Sequence, residues 1–167
     1  VAISEHHGVF NEQAVNYKAL VKEYFFAPGN SQSPAVSLIT TSYIKENSNA
    51  SADRPLVFVF NGGPGASSSP LHMNALGPWR IHQDKDSAVL KENPYSLLDL
   101  TDLVFMDPPG TGFTRVFDSA GAALYWDVKG DAQLFIDVIK KWKQENNRES
   151  SPVFLCGESY GTTRAAA

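Results

Sequence analysis

Pro152-Val153-Phe154-Leu155-Cys156-Gly157-Glu158-Ser159-Tyr160-Gly161-Thr162 is an apolar run too short for a helix, leading into Gly-x-Ser-x-Gly. An alanine-rich segment, Arg164 to Ala167, follows as the opening of a helix. Strand, tight turn, helix is the layout of a nucleophile elbow, which lifts a serine hydroxyl clear of a sheet. Gly157 and Gly161 have a steric role in so sharp a turn, where a side chain would collide with neighbouring backbone. Ser159 is therefore the candidate nucleophile. The same five-residue pattern also occurs in ordinary glycine-rich turns, so the rest of the chain has to decide.

Upstream, Leu56-Val57-Phe58-Val59-Phe60 and Leu103-Val104-Phe105-Met106 are continuous apolar runs like Val153 to Cys156. Such runs read as strands covered on both faces, the habit of a central parallel sheet. Between the last two, Val128, Ala132, Phe135, Ile139 and Trp142 form one 3.6-residue stripe over Val128 to Glu145, with Asp127 as N-cap and Asp131 in the first turn. Strand, crossover helix and strand make a βαβ unit, so the fold class is α/β. A shorter helix is expected from Ser69-Pro70, cap serine then first-turn proline, to Gly77-Pro78.

The first 54 residues read differently. Gly8 to Phe10, the alternating Val15, Tyr17, Ala19 and Val21, and Tyr24 to Phe26 predict two strands around an Asn11-Glu12 turn. A phase slip between Leu20 and Glu23 predicts a bulge. After the turn Ala27-Pro28-Gly29-Asn30, a third strand runs from Ala35 to Lys45, and a polar loop covers Glu46 to Arg54. The expected organisation is an antiparallel meander over 1–54 and the start of a mostly parallel core over 55–167, within one domain.

Composition narrows the function. The chain has 167 residues, 43% of them hydrophobic, and a formal charge of −4, so no basic field offers itself to nucleic acid. No apolar run approaches the ~20 residues that cross a bilayer, and Val1-Ala2-Ile3-Ser4-Glu5 is not a signal sequence, so a soluble chain with any signal peptide already removed is expected. The single cysteine, Cys156, excludes an intramolecular disulfide and a cysteine-based metal cluster, and its place in an apolar strand marks it as a core residue.

Each of the three buried runs is followed by a glycine-rich loop, and in an open α/β sheet these carboxyl ends form the ligand crevice. Acyl transfer builds an oxyanion that needs two fixed N–H donors ~3 Å away. One comes from the residue after the nucleophile, Tyr160, and the other is best placed at Gly63 in the loop after the earlier strand. Asn61 to Gly65 lacks the Gly-Lys-Ser/Thr of a phosphate loop, and Gly110-Thr111-Gly112 lacks the third glycine of a dinucleotide loop.

Asn61-Gly62-Gly63-Pro64-Gly65-Ala66-Ser67-Ser68, Asn93-Pro94-Tyr95-Ser96, Asp107-Pro108-Pro109-Gly110-Thr111-Gly112-Phe113-Thr114 and Gly157-Glu158-Ser159-Tyr160-Gly161 stand in an order and spacing that resemble the serine carboxypeptidase family of the α/β-hydrolase fold. The opening meander and Leu71 to Pro78 look like the bacterial branch. The resemblance implies a peptidase in which Ser159 attacks the peptide carbonyl, Gly63 and Tyr160 form the oxyanion hole, and Asn61, Gly62 and Glu158 bind the substrate's C-terminal carboxylate. It implies no metal or cofactor and favours a periplasmic or secreted setting, while a disulfide-free chain also fits the cytoplasm. Two carboxyl groups meet favourably only when they share a proton, so activity favouring acid pH is expected.

The chain departs from the family pattern at Val59, Ala66 and Ala75, where tryptophan, cysteine and glutamate are common. The lost cysteine removes a disulfide, and the other two changes remove groups that frame the carboxylate. An esterase or acyltransferase on the same scaffold, and a non-catalytic binding fragment, therefore stand as alternatives.

A serine nucleophile also needs a base and an orienting acid, which in this fold follow the nucleophile. Only eight residues follow Ser159, none of them His or Asp. His6, His7 and His82 read as surface or packing histidines, His72 as one that lines the cleft, and Asp107 as the cap of its own loop. The expectation is the N-terminal piece of a longer hydrolase, inactive alone, whose partners include a peptide substrate and the remainder of the parent chain.

Overall fold

The computed structural model describes residues 1–46, 53–85 and 87–167. Strands β1 (Ala2–Phe10), β2 (Gln13–Phe26) and β3 (Val36–Lys45) form the leading meander. Asn11 and Glu12, at φ 48° and 67°, make the two-residue turn whose twist suits a hairpin. Of the polar loop expected over Glu46 to Arg54, residues 47–52 lie outside the described residues.

β4 (Leu56–Phe60), β7 (Asp102–Asp107) and β8 (Val153–Gly157) continue the same sheet in the order β1-β2-β3-β7-β4-β8. β3 meets β7 antiparallel, while β4 is parallel to both β7 and β8. The antiparallel lead and parallel core are thus one mixed sheet. Between β4 and β7 lie α1 (Ser69–Leu71), which runs into a π-helical turn at His72–Leu76, and a separate hairpin of β5 (Trp79–Asp84) and β6 (Ser87–Glu92). Between β7 and β8 lie α2 (Ser119–Ala122) and α3 (Val128–Glu145), and α4 (Tyr160–Ala166) follows β8.

The alternation of side chains along β4 and β7 divides the core in two. Leu56, Phe58, Phe60, Val104 and Met106 face α3, where Leu134, Phe135, Val138 and Trp142 bury them. Val59, Leu103 and Phe105 face the other way and pack with Tyr43, Leu71 and Leu76. Trp142 is fully buried and donates from Nε1 to Ser42 Oγ at 2.9 Å, fastening α3 across the sheet to β3.

Several expectations need correction. No bulge interrupts β2: its register runs unbroken from Ala2↔Val21 to Phe10↔Gln13 on one side and from Tyr17↔Lys45 to Phe26↔Val36 on the other. The phase slip is instead a change of buried face. Val15 and Tyr17 pack with Phe10 and Leu98, whereas Tyr24, of opposite parity, packs under α3.

α3 has the expected bounds, and Asp127 caps it by accepting from Gly130 N at 2.6 Å, but Val128 is exposed and Asp131 is buried. Ser68, not Ser69, occupies the N-cap position of α1, and its side chain makes no cap bond. His82 lies in the β5–β6 hairpin, which sequence reading missed because its exposed Ile81, Val89 and Leu90 give no buried-strand signal. Val153, Phe154 and Leu155 are exposed because β8 is the edge strand and α3 lies over β4 and β7. Among the described residues, no helix is long and apolar enough to cross a membrane.

Candidate active site

β8 ends in the elbow. Ser159 has φ 58° and ψ −126°, a conformation that side-chain-bearing residues rarely adopt, and its side chain is exposed and makes no cap bond to α4. The turn closes through Gly161 N to Glu158 O at 2.9 Å and Thr162 N to Ser159 O at 2.9 Å. A Cβ on Gly157 would overlap the Gly161 carbonyl, and one on Gly161 would overlap Phe60 O, which is the steric role read for these glycines.

The loop after β4 lies directly against this turn. Gly62 is buried, and a Cβ there would strike the amide nitrogens of Tyr160 and Gly161 and the carbonyl of Glu158. Gly63 follows at φ 110°, exposed, with Ala66 N donating back to Gly62 O at 2.9 Å. Among the described residues, no hydrogen bond takes up the amide of Gly63 or of Tyr160.

Asn61 anchors the base of that loop and is buried. Its Nδ2 donates to Glu158 Oε2 at 2.8 Å, its Oδ1 accepts from Leu71 N at 3.1 Å, and its own N donates to Ser68 Oγ at 3.3 Å. Ser68 in turn donates from Oγ to the carbonyl of Met106, and from N to Asp107 Oδ1 at 2.7 Å. Asp107 therefore holds the neighbouring loop at Ser68, and among the described residues no hydrogen bond joins its carboxylate to its own loop. Burial raises its carboxyl above the ordinary range, with the Ser68 amide working against that. The 107–114 loop closes on itself through Thr111 Oγ1 and Thr114 Oγ1, both donating to Pro108 O at 2.8 Å.

Sequence reading missed Arg164 and Asp131. Arg164 is buried and donates from Nε to Asp131 Oδ2 at 2.7 Å, from Nη2 to Asp131 Oδ1 at 3.1 Å and from Nη1 to Asn61 O at 2.8 Å. The available signal was an acidic residue on the inward face of α3 and an arginine as the one charged residue of the short helix α4.

A cavity of about 180 Å³ opens beside the elbow, lined by Pro64, Gly65, Pro108, Pro109, Trp126 and Tyr160 among others. His72 lines a second cavity of about 320 Å³ with Phe105 and Asp107. Its Nε2 lies 2.7 Å from Tyr43 OH, its ring stacks on Phe105 with centroids 4.2 Å apart, and burial lowers its pKa to about 4. His6 and His7 lie on β1 and His82 on β5. Cys156 is half-buried against the β4 and β7 side chains, and burial raises its thiol. Among the described residues, no group of three or more His, Cys, Asp or Glu could hold a metal ion.

An exposed hydroxyl on a strained turn, with a glycine loop packed against the amide that follows it, is the kind of arrangement that can add to a carbonyl. A family profile described as serine carboxypeptidase matches residues 42–164. Serine carboxypeptidase-like 21 of Arabidopsis thaliana is 32% identical over 120 residues, covering 71% of this chain and 24% of that protein. The pheromone-processing carboxypeptidase KEX1 of Podospora anserina is 33% identical over 117 residues, covering 69% of this chain and 19% of that one.

The crystal structure of KEX1(delta)p, a prohormone-processing carboxypeptidase from Saccharomyces cerevisiae, superposes with a TM-score of 0.68 at 26% identity, over 86% of this chain and 31% of that one. The chain thus spans less than a third of the length of each of these relatives. They are plant and fungal and lend no support to a bacterial affinity. The fold is that of the α/β hydrolases, and the chain belongs to the serine carboxypeptidase family.

Proposed function

We propose that this chain carries the nucleophile and oxyanion-hole half of a serine carboxypeptidase that removes C-terminal residues from peptides. Ser159 Oγ adds to the scissile carbonyl carbon, its proton passes to a general base, and the carbonyl oxygen becomes an oxyanion held by the amides of Gly63 and Tyr160. Collapse expels the C-terminal residue as an amine that takes up that proton, leaving an acyl-enzyme on Ser159 for water to hydrolyse. Asn61, Gly62 and Glu158 bind the terminal carboxylate. The observation that best supports this reading is the strained, exposed Ser159 with the Gly62 backbone wedged against the Tyr160 amide.

The base and its orienting acid are assigned to no residue of this chain. We place them in the length of the relatives that the chain does not span. Residues 1–54 and 55–167 are read as the antiparallel lead and the core of a single domain, since one sheet runs through both. The bacterial affinity rests on Leu71 to Pro78 and the meander alone.

Labelling the full-length protein with a fluorophosphonate and mapping the adduct tests the nucleophile; modification at Ser159 is expected, and its absence favours a binding role. Val59 and Ala75, which replace carboxylate-framing residues of the family pattern, favour an esterase or acyltransferase as the second reading. Equal turnover of peptides with free and amidated C-termini would select it.

A further inference from the structure

Arg164 is a buried cation that the proposed chemistry does not use. Its three donors go to two different places: Nε and Nη2 to the Asp131 carboxylate on α3, and Nη1 to the main-chain carbonyl of Asn61, where β4 gives way to the Gly62-Gly63 loop. Its guanidinium carbon lies 4.2 Å from the Phe135 ring centroid, 5.5 Å from that of Phe60 and 5.4 Å from that of Tyr160. It therefore touches α3, the end of β4 and the residue that follows Ser159 at once.

A buried ion pair is weak evidence for stability, because desolvating both charges offsets most of their attraction. Fold stability is thus a poor reason for this arrangement, whereas its geometry has a specific consequence. The Asn61 carbonyl is one peptide bond from Gly62, whose backbone rests on the Tyr160 amide, and the next amide is that of Gly63. We propose that Arg164 is a positioning residue: through the Asn61 carbonyl it sets the height of the Gly63 amide relative to Ser159 and the Tyr160 amide. Asp131 orients the guanidinium fork. This proposal rests on the assignment of Ser159, Gly63 and Tyr160 made above.

Lysine at this position keeps a charge for Asp131 but cannot reach both acceptors with a planar fork. In the full-length protein, Arg164→Lys is expected to melt cooperatively yet lose kcat by about 10- to 100-fold, the scale of a misplaced oxyanion donor, with KM within about twofold. A peptidyl boronic acid, which forms a tetrahedral adduct on serine, should weaken in the same proportion as kcat/KM, since it reads the oxyanion hole directly.

Should the lysine variant not fold, the charge-free pair Asp131→Leu with Arg164→Met removes the tether without stranding a buried charge, and the same losses are expected. A folded variant with kcat within about twofold of the parent overturns the proposal. So does a kcat loss that leaves boronate affinity unchanged. A parent protein that takes no fluorophosphonate at Ser159 overturns the nucleophile reading itself, and that is visible before any variant is made.

Discussion

The side-chain amide of Asn61 donates to Glu158 Oε2 at 2.8 Å, joining the loop after β4 to the residue before Ser159 across a separation of 97 positions. The amide also orients Glu158, which is proposed to meet the substrate's terminal carboxylate. Glu158→Ala removes the carboxyl group from the site and leaves Asn61 without this acceptor. In the variant, kcat/KM for free-carboxylate peptides is expected to fall by about tenfold relative to amidated ones, the scale of a hydrogen bond to a charged group. An unchanged ratio would remove Glu158 from carboxylate binding.

Gly62 is pressed against main-chain atoms that cannot yield independently. Gly62→Ala should therefore separate the loop from the elbow. We expect a loss of about 1–3 kcal/mol in stability by denaturant titration, the usual scale of overpacking, and a much slower reaction of Ser159 with a fluorophosphonate. Labelling at the parental rate would show that the two loops tolerate separation.

Ser159 holds φ 58° and ψ −126° only because the turn imposes it. Glycine adopts such a conformation without a Cβ penalty, while alanine keeps it. Both Ser159→Gly and Ser159→Ala should abolish labelling, with the glycine variant more stable than the alanine one by about 1 kcal/mol. Equal melting temperatures would mean that the elbow stores no strain.

His72 should make stability depend on pH. Burial lowers its folded pKa to about 4, whereas the unfolded chain titrates near the ordinary 6.5. Below pH 6.5 the unfolded state binds a proton that the folded state does not, so stability falls as pH drops from about 6.5 to about 4 and levels below that. The shift corresponds to at most about 3 kcal/mol. His72→Gln retains a polar partner for Tyr43 OH without titrating, and urea midpoints at pH 7 and 4 should then lie closer together than in the parent. A parental gap in the variant would assign the pH dependence elsewhere.

Much of this protein was legible in the chain. The bounds of α3, the turn at Asn11-Glu12, the parallel pairing of the three apolar runs and the glycines of the elbow all follow from local periods and local sterics. The β2 phase slip was legible as a signal but misread, because a strand that changes its buried face and a strand with a bulge leave the same mark in sequence. The β5–β6 hairpin was not legible, since its apolar side chains are exposed and follow no buried period.

The amino-acid sequence by itself determined the strand–turn–helix around Ser159, because glycine at 157 and 161 and the apolar run before them restrict the backbone within a few residues. Only the tertiary structure decided which side chains hold that turn in place. Asn61 finds Glu158, Asp107 finds Ser68, and Arg164 finds both Asp131, 33 positions away, and Asn61, 103 positions away. Such pairings depend on which strand ends the sheet order brings together, and hydrogen-bond partners that distant leave no period in the chain to read.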